Sequence, residues 1–253
     1  MNFKHLFLFI VCPNNSGSTL LAKLLGTSPN VSLIRNTLHE GVCVRKARAH
    51  MPRSSGDERR NCTINEEKFM NNANYNWPKI KAAWFERWNI SKSILVEKSP
   101  QSVLRAHLTQ NEFENTKFII NLRNPYAFCE GIRRKMGHSL TVAATHWLKC
   151  AEHQIRNKRT LKGNIFFSYE EMCDDTLNVC KNLVNFIPEL QRLDPNRAFN
   201  RKRYEKVFGL ENQNNKQISK LKKRDFIEIN DVLGERSDLM EHFGYKYCGK
   251  QKG

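Results

Sequence analysis

Long apolar runs are missing from this sequence. None approaches the ~20 residues that a membrane-crossing helix needs, so a helical membrane span is not expected. The apolar start, residues 1–12, lacks the small residues of a signal-peptide cleavage site and runs into a turn-rich loop; it reads as a buried strand. CxxC pairs are also absent. The eight cysteines (Cys12, Cys43, Cys62, Cys129, Cys150, Cys173, Cys180 and Cys248) are scattered, with no histidines at zinc-ligand spacing beside them. No structural metal and no disulfide framework are expected, and reduced thiols point to the cytoplasm. Four N-x-S/T sequons, at Asn14, Asn30, Asn61 and Asn89, pull the other way, toward a secretory route. Acidic residues are few: 25 Asp and Glu stand against 42 Lys and Arg, a net charge of +17. That excess calls for a polyanionic partner, whether nucleic acid, an acidic polymer, an anionic membrane surface or a small phosphorylated ligand. Nucleic acid is disfavoured, because the aromatics are not interleaved with the basic clusters and no recognition motif is present.

Strand-length apolar runs at 6–12, 93–97, 117–122 and 164–168, with a shorter one at 31–34, alternate with helical patterns at 18–25, 77–88, 101–109, 125–135 and 140–157. This rhythm implies βαβ units, hence an α/β fold of three layers with a mainly parallel central sheet covered on both faces. One domain of 253 residues suffices. Residues 43–92, led by a polar stretch at 43–76, read as an insertion or lid on top of the sheet. Residues 188–253 show no strand and two short helical patterns, at 216–223 and 225–233, and read as a helical C-terminal segment. No internal repeat or low-complexity tract is present.

The stretch 10–25, IVCPNNSGSTLLAKLL, is a strand, a Pro/Asn/Gly loop and an amphipathic helix in succession. A helix N-terminus after such a loop presents unpaired N–H groups and a positive dipole end, which suits an anion. Asn14, Asn15, Ser16, Gly17, Ser18 and Thr19 are its candidate ligands. A glycan on Asn14 would block such a loop, which favours the cytoplasm over the secretory route. The loop is not a Walker A sequence, because Ser18 stands where GxxxxGK[ST] has its lysine. An ATPase or nucleotide kinase is disfavoured accordingly.

With its PNNSGSTL at 13–20 and its FIINLRNP at 118–125, the chain resembles the sulfotransferase family. That family holds 3′-phosphoadenosine 5′-phosphosulfate (PAPS) on a P-loop-like fold. VEKSP at 96–100 is similar to the carbohydrate and tyrosylprotein branches, FSYEEM at 167–172 to the family's Tyr-Glu-Asp-Leu, and 218–245 to its closing helical segment. The resemblance implies that Arg123 binds the 3′-phosphate, for which a guanidinium fork is suited, and that Tyr169 lies near adenine. It implies no obligatory metal. The acceptor it implies is a hydroxyl on a carbohydrate or small molecule, with protein tyrosine as the lesser option and an anionic glycan suggested by the charge. Two positions depart from the family: Gly131 stands where a serine is usual, with Arg133 or Arg134 as candidates to compensate, and Asn15 replaces a loop cation.

Sulfuryl transfer needs a base for the acceptor proton and cations or dipoles for charge on the leaving phosphate. Glu40 is the candidate base, with His39, whose ordinary pKa suits proton transfer, as its rival. Lys98 is the candidate charge stabiliser, more so because Asn15 brings no charge. Trp84, Phe85 and Trp88 read as packing residues rather than a base-stacking platform. A related fold that has lost catalysis is the remaining alternative, since both departures fall at cofactor contacts.

Overall fold

Six successive apolar residues, too few for a buried helix and covered on both sides, form the central strand of the molecule. In the computed structural model, which describes residues 5–197, 199–200, 207–208 and 210–249, this strand is β1 (Leu6–Val11). It is followed by α1 (Ser18–Leu25) and β2 (Val31–Leu33). Three short helices, α2 (Arg45–Arg48), α3 (Gly56–Arg60) and α4 (Glu66–Met70), lead to α5 (Trp77–Phe85) and β3 (Ile94–Lys98). Then come α6 (Ser102–Glu112), β4 (Thr116–Leu122), α7 (Pro125–Met136), α8 (Leu140–Thr160) and β5 (Asn164–Ser168). The remainder holds α9 (Tyr169–Asp174), α10 (Thr176–Phe186), a β6–β7 pair (Phe199–Asn200 and Val207–Phe208), α11 (Asn214–Ile218), α12 (Lys223–Gly234) and α13 (Ser237–His242).

The five main strands form one parallel sheet in the order β2-β3-β1-β4-β5. The α/β class and the parallel sheet follow the sequence rhythm. Alternate residues of the same strands feed two cores, as a period of two requires. Phe9, Val11, Leu95, Phe118 and Ile120 pack with Trp84, Trp88 and Phe113 on one face. Leu8, Ile10, Val96 and Ile119 pack with Leu21, Leu25 and Leu183 on the other.

The segment expected as an insertion is tied into the first of these cores through Val44, Ala47, Met51, Trp77, Ile80, Trp84 and Trp88. Trp84 and Trp88 are packing residues, as expected. Each buries its ring and spends its indole N–H on a backbone carbonyl, Gly41 O at 3.2 Å and Val96 O at 2.9 Å.

The C-terminal segment departs from the reading in two ways. The short antiparallel pair β6–β7 lies where no strand was expected. The two helices fall at Asn214–Ile218 and Lys223–Gly234, because Asp225 reaches back to accept the Lys222 N–H at 2.8 Å and restarts the helix there. One of the basic clusters of the sequence spans 201–224, and its residues 201–206 and 209 lie outside the described residues.

Candidate active site

With β1 central, the chain winds first toward β2 and β3 and then, from β4 onward, to the other side. The C-terminal ends of parallel strands open a crevice at such a reversal. The loops after β1, β2, β3, β4 and β5 meet there.

The loop after β1 needs two left-handed residues. Asn15 has φ 61° and Gly17 φ 83°. Asparagine tolerates that region. At Gly17 a side chain would also collide, since its Cβ would stand 2.5 Å from Tyr169 Cδ2. The first bonds of α1 run from Leu20 and Leu21 to the Gly17 carbonyl, so the N–H groups ahead of them lie outside the helical ladder. Ser16 turns its hydroxyl to the Asn14 carbonyl at 3.4 Å, while Ser18 is buried beneath the loop.

Arg123 leaves the end of β4 at 3 % exposure. Its Nε donates to Asn214 Oδ1 at 2.8 Å and its Nη1 to the Asn15 carbonyl at 2.9 Å. Its guanidinium lies 4.0 Å from the centre of the Tyr169 ring, a cation–π contact. Burial pushes its pKa below the ordinary value, partly opposed by Tyr169 and Glu170; a guanidinium remains charged regardless. Its Nη2 is buried without a partner, as is Asn14 Nδ2. Orphaned buried donors are costly, about 1–3 kcal/mol each; one on the loop and one bonded to it make this end a candidate receptacle for an anion.

Tyr169, expected beside adenine, is 3 % exposed; its ring backs Gly17 and Arg123 and its hydroxyl donates to the Glu211 carbonyl and accepts the Gln213 N–H. Its observed contacts make it a prop for the loop and the arginine.

Lys98 ends β3 at 2 % exposure, with its ammonium 2.7 Å from Glu40 Oε1 and 3.1 Å from Thr19 Oγ1. Asn36 clamps the Glu40 backbone from both sides, accepting its N–H at 3.1 Å and donating to its carbonyl at 2.8 Å. Strand alternation sends the preceding residue, Glu97, to the opposite face. There Glu97 is fully buried, pairs with Arg105 at 3.5 Å, and accepts the Gly41 N–H at 2.9 Å and the hydroxyls of Ser99 and Ser102. Ser99 in turn accepts the Val42 N–H at 3.2 Å. The buried network therefore fixes the turn that carries Glu40.

His39, also left-handed at φ 59°, turns its Nδ1 onto the Ile34 carbonyl at 3.1 Å; burial lowers its pKa, with Lys98 and Lys23 adding to the shift.

The structure thus joins Thr19, Glu40 and Lys98 at one end of the crevice, and Asn14, Asn15, Arg123, Gly131 and Tyr169 at the other. A carboxylate beside an ammonium and a hydroxyl can take up a proton and steady a growing negative charge. The far end can bind an anion. Asn214 and Lys135 belong to that end and were not singled out in the sequence. Arg133 and Arg134, suggested as compensating cations, are engaged by Asp225 at 3.1 Å and Glu130 at 2.8 Å. Of the three basic residues at 133–135, the one that reaches the loop is Lys135, whose Nζ lies 2.5 Å from Asn15 Oδ1. Its position one helical turn beyond Gly131 was a usable signal; Asn214 carried none.

The sequence model of the sulfotransferase family matches residues 8–191, which include the loops that follow all five strands of the sheet. The chain belongs to the sulfotransferase family. Its fold is that of solved sulfotransferases. A sulfotransferase from Alicyclobacillus acidocaldarius is 14% identical at TM-score 0.56, with 94% of this chain and 96% of that one covered. The sulfotransferase domain from the curacin biosynthetic pathway is 17% identical at TM-score 0.55, with 96% and 98% covered. No curated protein matches the chain in sequence. The sulfotransferase match ends before Asn214, so that contact to Arg123 comes from outside the matched region. Among the described residues no helix is long and apolar enough to cross a membrane, and no group of three or more His, Cys, Asp or Glu is placed to hold a metal ion.

Proposed function

We propose that the chain transfers a sulfuryl group from PAPS to a hydroxyl acceptor, without a metal. One observation carries this reading: Arg123, with its Nη2 unpartnered, is bonded to the loop after β1 at Asn15, and Thr19 at the helix end of the same loop is bonded to Lys98 beside Glu40. Two buried cationic or amide donors beside a helix N-terminus fit a ligand with phosphates at both ends of an adenosine. Bound PAPS supplies an activated sulfuryl group carried on a phosphate leaving group. Glu40 accepts the proton of the acceptor hydroxyl. Lys98 and Thr19 steady the negative charge that grows at the leaving oxygen. Arg123 and Asn14, with the N–H groups of residues 16–19, hold the phosphates, and Tyr169 and Asn214 keep Arg123 aimed. The whole chain works as one domain, since α11 supplies Asn214 and the 43–92 segment carries the acceptor side. Its eight unpaired cysteines agree with action in the cytoplasm.

The acceptor class we favour is a carbohydrate or small molecule bearing negative charge. Two adjoining open clefts of about 480 and 580 Å³ share Ala49 and His50 and are lined by Arg45, Lys46, Arg53 and Lys79. Glu86 is their one carboxylate among the described lining residues, and Lys46 holds it at 2.7 Å. The wall formed by α5 is bonded through Trp84 to Gly41, next to the candidate base.

Labelled PAPS offered with neutral and anionic glycans at rising salt tests both parts. Transfer to an anionic glycan that falls steeply with salt is the expected result. Salt-independent transfer would remove the acidic acceptor, and selective bisphosphate binding without transfer to any acceptor would replace catalysis by binding alone.

A further inference from the structure

Position 131 faces the phosphate loop so closely that no side chain fits there as the loop now stands. A Cβ at Gly131 would lie 1.7 Å from Asn15 Nδ2 and 2.5 Å from its Cγ. Asn15 lies across this gap along α7. Its amide donates to the carbonyls of Ala127 at 3.4 Å and Phe128 at 3.3 Å, one turn before Gly131. Its Oδ1 accepts from Lys135, one turn after, at 2.5 Å. The Asn15 backbone carbonyl meanwhile accepts from Arg123 at 2.9 Å. One residue thus gathers two cations at the mouth of the anion receptacle.

Neither cation has a carboxylate bonded to it there. Arg123 pairs with an amide and a carbonyl and keeps Nη2 free of any partner; the hydrogen bond of Lys135 goes to a neutral amide oxygen. The neighbouring basic residues differ: Arg133 is spent on Asp225, and Arg134 on Glu130. The Lys135 side chain is exposed to solvent, and its packing against the protein, with Arg134 and Arg123 nearby and Glu130 opposing them, lowers its pKa below the ordinary lysine value. Such a lysine is relieved by the arrival of an anion with more than one charge.

We propose that Lys135 is a phosphate ligand of this chain, presented by Asn15 across Gly131, so that these three residues form one interdependent unit. The loop residue that lacks charge and the helix residue that lacks a side chain are then a matched pair: the asparagine occupies the space the glycine vacates and directs a lysine one turn further along. The inference rests on the phosphate-terminated cofactor proposed above and specifies how this chain holds its 3′-phosphate.

The test is calorimetric titration of the full chain with adenosine 3′,5′-bisphosphate and with 5′-AMP, which lacks the 3′-phosphate, with thermal melting to verify folding. Lys135→Ala should weaken bisphosphate binding about tenfold or more and leave 5′-AMP binding unchanged, while Lys135→Arg should stay within about threefold of the parent. Gly131→Ser alone should also cost about tenfold, and in an Asn15→Ala background it should cost nothing further, a coupling that independent sites do not show. A parent protein that prefers the bisphosphate while Lys135→Ala keeps the same preference would overturn this inference and leave the proposed function standing. Additive effects at positions 15 and 131 would overturn the matched pair. A parent protein with no preference for the bisphosphate over 5′-AMP would overturn both the inference and the function on which it rests.

Discussion

At one end of the crevice Lys98, Thr19 and Glu40 satisfy one another, 2.7 and 3.1 Å apart, on a turn held from beneath by Glu97. At the other end Arg123 Nη2 and Asn14 Nδ2 have no partner, and Lys135 has a neutral one. The contrast separates two tasks that a cluster of polar residues can perform. A self-satisfied ion pair gains little from a bystander anion, because any newcomer must first compete with its existing bond. It is suited to a group that arrives with a proton to give. Unsatisfied donors gain from any anion of the right shape, since their desolvation cost is already present in the folded state.

Cutting the support beneath the closed end should have the largest effect. Glu97→Ala strands Arg105 as an uncompensated buried charge, and denaturant unfolding should register a loss of about 3–5 kcal/mol. A Glu97→Leu, Arg105→Met double variant should be markedly more stable than either single change, because a buried pair costs desolvation on both sides. Equal losses in the singles and the double would show that the pair does not act as a unit.

Next come the two members of the closed end themselves. Lys98→Met and Glu40→Gln should each lower kcat by about 10²–10³-fold, measured as initial rates with labelled PAPS. Bisphosphate affinity should stay within about threefold. His39→Gln should leave kcat within about threefold, because its ring is spent on the Ile34 carbonyl. Comparable losses of rate and affinity at Lys98 would merge the two ends into one binding site.

The smallest effect concerns why Arg133 is withheld from the open end. Its hydrogen bond holds the Asp225 carboxyl below the usual carboxylate range. A carboxyl depressed in the folded state stabilises above its unfolded pKa, about 3.9, and that contribution is lost as pH falls through the folded value. Asp225→Asn should therefore lower the melting temperature at pH 7, by about 3 °C for a screened bond on the order of 1 kcal/mol. The gap should close below about pH 4. A gap that persists in acid would assign the effect to packing.

Much of this was legible in the sequence because it depends on short stretches of chain. The β5 and α1 bounds at 164–168 and 18–25 agree with the structure to the residue, since each is an apolar pattern bounded by turn signals. Lys98 and Arg123 sit at or just beyond the end of a strand and Thr19 in the first turn of a helix, which is where a parallel sheet collects its functional groups, and Glu40 lies in the connection that follows β2. Ser55-Gly-Asp-Glu58, a capping box with both bonds formed, was a readable start for α3 inside the polar stretch read as an insertion or lid. The open end was less legible. Asn214 meets Arg123 across 91 residues of sequence, and nothing local marks it. The choice among Arg133, Arg134 and Lys135 depends on which acids α7 meets, a tertiary fact with no local signature. Tyr169 sits in a matched motif, yet its contacts depend on the loop folding back over its ring.

The most direct test of the contrast is the titration of the parent protein and Arg123→Met with adenosine 3′,5′-bisphosphate, ADP and 5′-AMP. The account predicts that the parent prefers the bisphosphate over both controls, and that Arg123→Met remains folded but loses this preference, with affinity reduced by about 30-fold or more. Equal binding of all three nucleotides by the parent, or a preference that survives in Arg123→Met, would contradict it.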